Sequence, residues 1–334
     1  MNEQRVSANM PELLTLSPSP HVRRGVTTAR LMIDVLIALA PAALWGIAAF
    51  GWRAAVILIL ATGTAILAEF LTEKLLHRPV TVSDCSAALT GLLLGMNLPS
   101  TVPFYVPVVG SVFAIVVVKQ LFGGIGKNIM NPALAARVFL MLTWTGAMTK
   151  FVPAFDWLKS TDAVASATPL VALKTGASGA SVLDLFLGRC GGCIGEISAL
   201  LLLLGGIYLI IRRVIAWQIP AAFLGTVALL TLIFHKGDMN AFAYMASSLF
   251  SGGLMLGAFF MATDYVTSPV TRWGRVIYGV GCGALVVFLR FFSGYPEGVS
   301  FAILIMNALV WYIELLTKPR VYGKTRGKGG RSRG

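Results

Sequence analysis

A chain of 334 residues with 57% hydrophobic and 12% charged residues lacks the surface of a soluble enzyme, because soluble domains carry about 25% charged residues. The 35 glycines are typical of membrane helices, which pack closely through small residues. The net charge of +13 does not indicate nucleic-acid binding, because the basic residues lie mainly between apolar runs and in the C-terminal tail. The composition predicts an all-α integral membrane protein that contacts the lipid bilayer and no nucleic acid.

Ten apolar runs follow a polar N-terminal segment, residues 1–30, which has no apolar core before a cleavage site and so is no signal peptide. A span needs about 20 largely apolar residues. The predicted transmembrane helices lie roughly at 31–50, 54–71, 84–98, 103–122, 133–148, 194–211, 215–234, 242–262, 275–292 and 299–317. The third is short, begins at Asp84 and contains Gly91 and Gly95, so it is predicted to be a broken helix at a binding site.

The distribution of Lys and Arg predicts the orientation of the chain. With a cytoplasmic N-terminus, 20 of the 27 basic residues fall on the inner side, as the positive-inside rule requires. Both termini are therefore predicted to be cytoplasmic, including the basic tail, residues 318–334. Residues 91–95 resemble residues 253–257, five spans later, which predicts two inverted five-helix halves at 31–148 and 194–317.

The loop of residues 149–193 separates the two halves on the predicted outer face. Loops of this length are functional or disordered. Cys190 and Cys193 near its end leave three alternatives open: a metal site, which would need two further ligands, a disulfide, or free thiols.

The same loop carries a run of small residues around the hydroxyl of Thr168, which is followed by Pro169. Small neighbours allow a bulky group to approach this hydroxyl, although an ordinary loop turn would have the same composition. The segment resembles a flavinylation motif whose last Thr is esterified by the phosphate of FMN. The matching residues are Asp162, Ser166, Ala167 and Thr168, while Ala165 stands where Ser or Thr is usual.

Other segments extend this resemblance to residues 19–318. They are residues 19–35, the Gly-rich stretch 123–133 followed by Arg137, residues 195–198 and residues 262–269. Together they resemble the D subunit of the Rnf-type ion-translocating electron transport complex, a relative of the B subunit of the sodium-translocating NADH:quinone reductase.

The resemblance implies a function, its cofactors and its partners. It implies electron transfer between ferredoxin and NAD, coupled to sodium or proton transport, by a complex in the inner (cytoplasmic) membrane. FMN would be attached to Thr168 by a flavin transferase, and Lys127 and Asn128 would border a non-covalent riboflavin. The other subunits of the complex would be partners, and residues 149–193 would form an external flavin-bearing loop.

Two acids are predicted to lie on an ion path, because ionisable groups inside membranes are costly and usually functional. Asp84 begins the third span and Asp264 follows the eighth. Each could instead cap a helix or pair with Lys127 or Arg137. Three other functions stay open at this point: a flavin-free transporter or channel, a membrane scaffold, and the B-type subunit of a NADH:quinone reductase.

Overall fold

The computed structural model of the protein describes residues 27–158, 169–175, 181–235, 240–293 and 297–318. Within these ranges the chain consists of helices and connecting segments without a β-strand. The helices before the long loop are α1 (Thr28–Phe50), α2 (Trp52–Leu75), α3 (Ser86–Met96), α4 (Tyr105–Val112), α5 (Pro132–Thr143) and α6 (Thr145–Met148). Those that follow are α7 (Pro169–Thr175), α8 (Val182–Leu187), α9 (Ala199–Ile211), α10 (Gln218–Ile233), α11 (Ala241–Phe250), α12 (Leu254–Leu256), α13 (Arg272–Phe292) and α14 (Val299–Thr317).

The apolar helices confirm the predicted all-α membrane fold. Four of the described helices, α1, α2, α13 and α14, are long and apolar enough to cross a membrane. A bent pair built from α11 and α12 can form a fifth span, and five shorter apolar helices complete the set. These ten apolar segments follow the chain order of the ten predicted spans.

Several predicted spans, among them the sixth and the eighth, differ from the structure in their course. The sixth is predicted at 194–211, but its helix begins only at Ala199, where Ser198 is the N-cap. The residues before it run beside the end of α3, since the Ile194 amide donates to Leu98 O (3.0 Å) and the Gly195 amide to Met96 O (2.8 Å). The eighth span is not continuous, because α11 and α12 meet at an angle of 64°.

The third span is not interrupted at its glycines, so this prediction is wrong. Helix α3 runs without a break through Gly91 and Gly95 and begins just after Cys85, which has a left-handed φ of 61°. A Cβ on Gly91 would lie 2.6 Å from the carbonyl oxygen of Ala61 in α2. The glycines therefore allow close packing of α3 on α2 and do not break the helix.

The two halves share an order of neighbours. Helix α2 packs against α3 and α4, and α10 packs against α11 and α13, while α1 and α9 join the halves. The corresponding helices lie five apolar segments apart in the chain, so this arrangement agrees with a repeat of five spans. The inversion of the halves and their orientation in the membrane stay predictions.

Both halves contain a π-helical turn, in which each backbone hydrogen bond joins residues five apart in the chain, whereas it joins residues four apart in an α-helix. Helix α4 continues as a π-helix over Phe113–Gln120, and α12 continues as one over Gly257–Met261. Such turns are frequent at functional sites. Here they bring Lys119 and the pair Phe259 and Phe260 to the same cavity.

Candidate functional site

A cavity of about 440 Å³ lies among α1, α3, α9, the start of α5 and the second π-helical turn. Sites for small molecules have volumes of about 300–1,000 Å³ and mostly apolar walls with a few polar groups. The cavity follows this pattern, because most of its lining side chains are apolar. The polar side chains that line it are Thr28, Ser86, Thr90, Lys119, Asn128, Asn131, Thr263 and Asp264, with the phenol of Tyr265 beside them.

The start of α5 forms one wall of this cavity. Asn131 caps the helix, since its Oδ1 accepts from the amides of Ala133 (3.0 Å) and Leu134 (3.3 Å). Pro132 occupies the first helical position, where its missing N–H costs nothing. The Nδ2 of Asn131 donates to Met261 O (3.3 Å) and so ties this wall to the second π-helical turn.

The Gly-rich stretch before α5 reaches the same cavity. Gly123, Gly124 and Gly126 have φ values of 111°, 90° and 86°, a backbone course that only glycine adopts without strain. Gly126 and Asn128 line the cavity. Lys127 does not line it: this side chain is exposed and lies over Gly123.

A buried charged network borders the cavity on the side of α2 and α3. Lys119 forms an ion pair with Glu69 of α2 and donates to Ser86 Oγ (2.6 Å). Asp84 Oδ1 accepts from the hydroxyl (2.6 Å) and the amide (2.8 Å) of Ser86, so that it caps α3. Gln120 extends the network by donating to Glu69 Oε1 (3.1 Å). Asp84 is therefore not a lining residue, but it holds Ser86, which lines the cavity.

Asp264 lines the cavity on the side of the second π-helical turn. Its Oδ2 accepts from Thr267 Oγ1 (3.2 Å). Removal from water raises the pKa of this carboxyl, and the bonds from Thr267 and from the amides of Val266 and Tyr265 oppose the rise. Of the ion pairs among the described residues, none joins Asp84 or Asp264 to Lys127 or Arg137.

Arg137 belongs to a second, separate cluster. Its guanidinium contacts Glu196 Oε1 (2.8 Å), Glu297 Oε2 (2.5 Å) and Asn97 Oδ1 (2.5 Å). Cys193 Sγ lies 3.6 Å from Nη2. Cys193, Glu196 and Glu297 also have the spacing of metal ligands, but the guanidinium touches all three and supplies the positive charge there. Of the alternatives for the cysteines, the structure shows Cys190 and Cys193 as free, buried thiols.

Sequence reasoning missed both charged networks. Lys119, Glu69, Glu196 and Glu297 lie in different spans or loops, and nothing in their spacing along the chain brings them together. The sequence carries one signal of these networks, because all four are charged residues inside or beside a predicted span, where a buried partner is needed.

The residues implied in flavin attachment, Asp162, Ser166, Ala167 and Thr168, lie outside the described residues. Pro169, the residue after Thr168, begins α7. Pro169 and Leu170 border a small cavity together with Glu196 and Glu297.

The chain matches known proteins over nearly its whole length. Residues 15–323 match the model of the NQR2, RnfD, RnfE family. The chain is 48% identical to the D subunit of the Na(+)-translocating ferredoxin:NAD(+) oxidoreductase complex of Acetobacterium woodii, with 94% of this chain and 97% of the relative covered. It is 42% identical to the D subunit of the proton-translocating ferredoxin:NAD(+) oxidoreductase complex of Clostridium ljungdahlii, with 98% and 100% covered. It is 41% identical to the D subunit of the ion-translocating oxidoreductase complex of Stutzerimonas stutzeri, with 90% and 93% covered. The extent of these matches, together with the helical membrane fold, means that this chain belongs to the NQR2, RnfD, RnfE family.

Proposed function

We propose that this protein is the D-type membrane subunit of an ion-translocating ferredoxin:NAD oxidoreductase complex of the Rnf type. The observation that carries the proposal is the end-to-end match with relatives that are named as this component. The match covers the ten apolar segments as well as the loop between the halves. The other subunits of that complex and the lipid of the inner membrane are then its partners.

In this proposal FMN is bound through a phosphoester to the Thr168 hydroxyl on the outer face. The support is the sequence from Asp162 to Thr168, in which Ser166 and Ala167, the neighbours before Thr168, are small residues. A flavin transferase would form the bond. A covalent tether keeps the cofactor at a fixed distance from neighbouring redox centres, so the chain supplies placement while the flavin supplies the electron chemistry.

The 440 Å³ cavity is proposed to hold a second, non-covalent flavin such as riboflavin. Phe259 and Phe260 offer flat apolar surfaces for a planar ring, and Asn128 offers both a donor and an acceptor. Lys119, whose ammonium is paired with Glu69, lines the cavity and adds a hydrogen-bond donor. These residues fit a flat, partly polar ring system by volume and by the chemistry of their side chains.

The coupling ion is proposed to be sodium or a proton, since relatives with either ion in their names match this chain. The proposed orientation has both termini in the cytoplasm. The cavity then opens on the inner side, because it is lined by residues next to predicted inner loops, such as Thr28 and Asn128. Electrons would pass between a flavin on each side of the membrane, with Asp84 and Asp264 beside the inner one on the ion path.

The direct test is ultraviolet fluorescence of the denatured protein in a gel, from cells that contain the flavin transferase. Wild type is compared with Thr168→Val, which removes the hydroxyl and keeps the shape. Thr161→Val is the matched control, because it removes a nearby hydroxyl from the same loop. We expect fluorescence in wild type and in the control, and none in Thr168→Val.

A dark wild-type band would favour the flavin-free transporter or channel. A B-type subunit of a NADH:quinone reductase would also fluoresce. That alternative is separated by the electron acceptor: membranes containing the complex should reduce NAD with ferredoxin, and ubiquinone should not be needed.

A further inference from the structure

Two glutamates share one arginine in the interior of the protein. Glu196 precedes α9, Glu297 precedes α14, and both contact the guanidinium of Arg137 from α5. Their carboxylate oxygens lie within 4.8 Å of each other. The Glu196 side chain is 3% exposed and that of Glu297 is 11% exposed, so little water screens their repulsion.

Among the described residues, only one cation forms ion pairs with these two carboxylates. Arg137 carries one positive charge and can balance one of them. The second nearby cation, Arg290 of α13, donates to the carbonyl oxygens of Ser248 (2.6 Å), Ser251 (3.0 Å) and Gly252 (3.2 Å), and its charge lowers the pKa of Glu297 less than that of Arg137 does. Two carboxyl groups at such a distance in a low dielectric ionise one at a time, so that one keeps its proton into a higher pH range.

The other groups that face the pair do not change this balance. Asn97 at the end of α3 offers its amide oxygen to Arg137, and Cys193 contributes a buried thiol whose pKa burial raises. The phenol of Tyr244 in α11 lies near Arg290 and is neutral at physiological pH, because phenols ordinarily titrate near pH 10. Burial, followed by the charge of Glu196, raises the pKa of Glu297 to about 7 against the opposing effect of Arg137.

We propose that Glu196 and Glu297 form a carboxyl pair that holds one exchangeable proton, and that this proton is exchanged with water on the side of residues 190–192. On release, the O–H bond of one carboxyl breaks and a water molecule takes the proton. The pair then changes its charge from −1 to −2. The site differs from the flavin positions and does not depend on a bound flavin.

A route for this proton lies beside the pair. A cavity of about 20 Å³ is bordered by Glu196 and Glu297 on one side and by Cys190, Gly191 and Gly192 on the other. That volume is enough for about one water molecule. The buried hydroxyl of Ser251, which has no hydrogen-bond partner among the described residues, also borders it.

The pair also touches the break between α11 and α12. A Cβ on Gly253 would lie 2.6 Å from Glu196 Oε1, so the carboxylate packs against the backbone at Gly253, just before α12. Gly253 has a φ of 37° there. Because a helix N-terminus attracts negative charge, gain or loss of the proton changes the force between Glu196 and the second part of this span.

The test is a pH titration of the purified full-length protein in lipid nanodiscs, followed by infrared difference spectroscopy. The signal is the carbonyl stretch of a protonated carboxylic acid. We expect a band that disappears as the pH rises through neutrality and that is absent from Glu297→Gln. Asp184→Asn, which removes an acid of α8 outside the pair, should keep the band.

The single variant Glu196→Gln separates a coupled pair from one isolated acid. Without its like-charged neighbour, Glu297 should ionise at least about one pH unit lower. A midpoint unchanged by Glu196→Gln, a band that survives Glu297→Gln, or no titrating band in wild type would each overturn the proposal. If Glu297→Gln does not fold, the proposal is still tested by the titrating band of wild type and by the shift of its midpoint in Glu196→Gln.

Discussion

Lys119 at the end of the π-helical turn after α4 forms an ion pair with Glu69 of α2, and their side chains are only 2% and 0% exposed. Breaking a buried pair leaves one charge without a partner, which costs about 3–5 kcal/mol. We therefore expect Lys119→Met or Glu69→Leu alone to lower the melting temperature strongly. The double variant should recover part of the loss, since no unpaired charge remains.

The pair between Arg212 and Asp34 provides the comparison for that measurement. The Arg212 side chain is 42% exposed and that of Asp34 is 11% exposed, so water screens this pair more than the pair of Lys119 and Glu69. Arg212→Gln should therefore lower the melting temperature less than Lys119→Met. Equal effects of Arg212→Gln and Lys119→Met in the same thermal unfolding assay would contradict this view of the buried pair.

Substitutions at glycines should separate close packing from helix propensity. Gly91→Ala places a methyl group 2.6 Å from Ala61 O and should destabilise the packing of α3 on α2. Gly63 lies in α2 with open space where its Cβ would point, so Gly63→Ala should be neutral or stabilise by about 0.5–1 kcal/mol. Thermal unfolding of both variants checks the prediction, which fails if Gly91→Ala is tolerated as well as Gly63→Ala.

The second flavin can be tested apart from the first. We expect Phe260→Leu to reduce the flavin that is released when the purified protein is denatured, because the flat wall of the cavity is lost. The covalent fluorescence in the gel should not change. Phe288→Leu alters a residue of α13 that is 57% exposed and outside the cavity, so it should release as much flavin as wild type.

The proposed ion path predicts a specific defect in coupling. Asp84→Asn and Asp264→Asn each remove one carboxylate: Asp264 lines the cavity, and Asp84 is hydrogen-bonded to Ser86, which lines it. In proteoliposomes with the whole complex, we expect ferredoxin-dependent NAD reduction to continue while the number of ions moved per electron falls. Asp184→Asn should leave the ratio unchanged, and an unchanged ratio in both cavity variants would refute a role for these acids.

The raised pKa of Glu297 also predicts a pH dependence of stability. The folded protein binds this proton more tightly than the unfolded chain, whose glutamates titrate near the ordinary value of 4.5. The stabilising contribution is complete below that value and is lost as the pH rises through about 7. Unfolding by heat between acidic and mildly alkaline pH should show this loss in wild type and a smaller one in Glu297→Gln.

The sequence predicts the helical membrane fold well because each span is encoded locally, by an apolar run of sufficient length. The predictions fail where contacts between distant parts of the chain determine the local structure. Residues 194–198 were expected to be helical but begin with a turn beside the end of α3, where the carbonyl oxygens of Leu98 and Met96 accept from the amides of Ile194 and Gly195. Gly91 and Gly95 look like breaks in the sequence, although their role is visible only from the position of α2.

The sequence predicts only those residues of the candidate site that belong to a local motif. Asn128 was found through a contiguous motif, and it lines the cavity. Lys119 belongs to no sequence motif. It lies in the π-helical turn and contacts Glu69 and Ser86, which are distant in the chain. The helix caps of Asp84 and Asn131 are local, but the cavity between them requires the packing of both halves.

Arg290 gives the break between α11 and α12 an unusual property. In broken helices of transporters, the free carbonyl oxygens at the break bind the transported cation. Here a covalently attached guanidinium binds those of Ser248, Ser251 and Gly252. A sodium ion would have to displace this guanidinium to reach the three carbonyl oxygens, so we expect the break not to bind the transported ion.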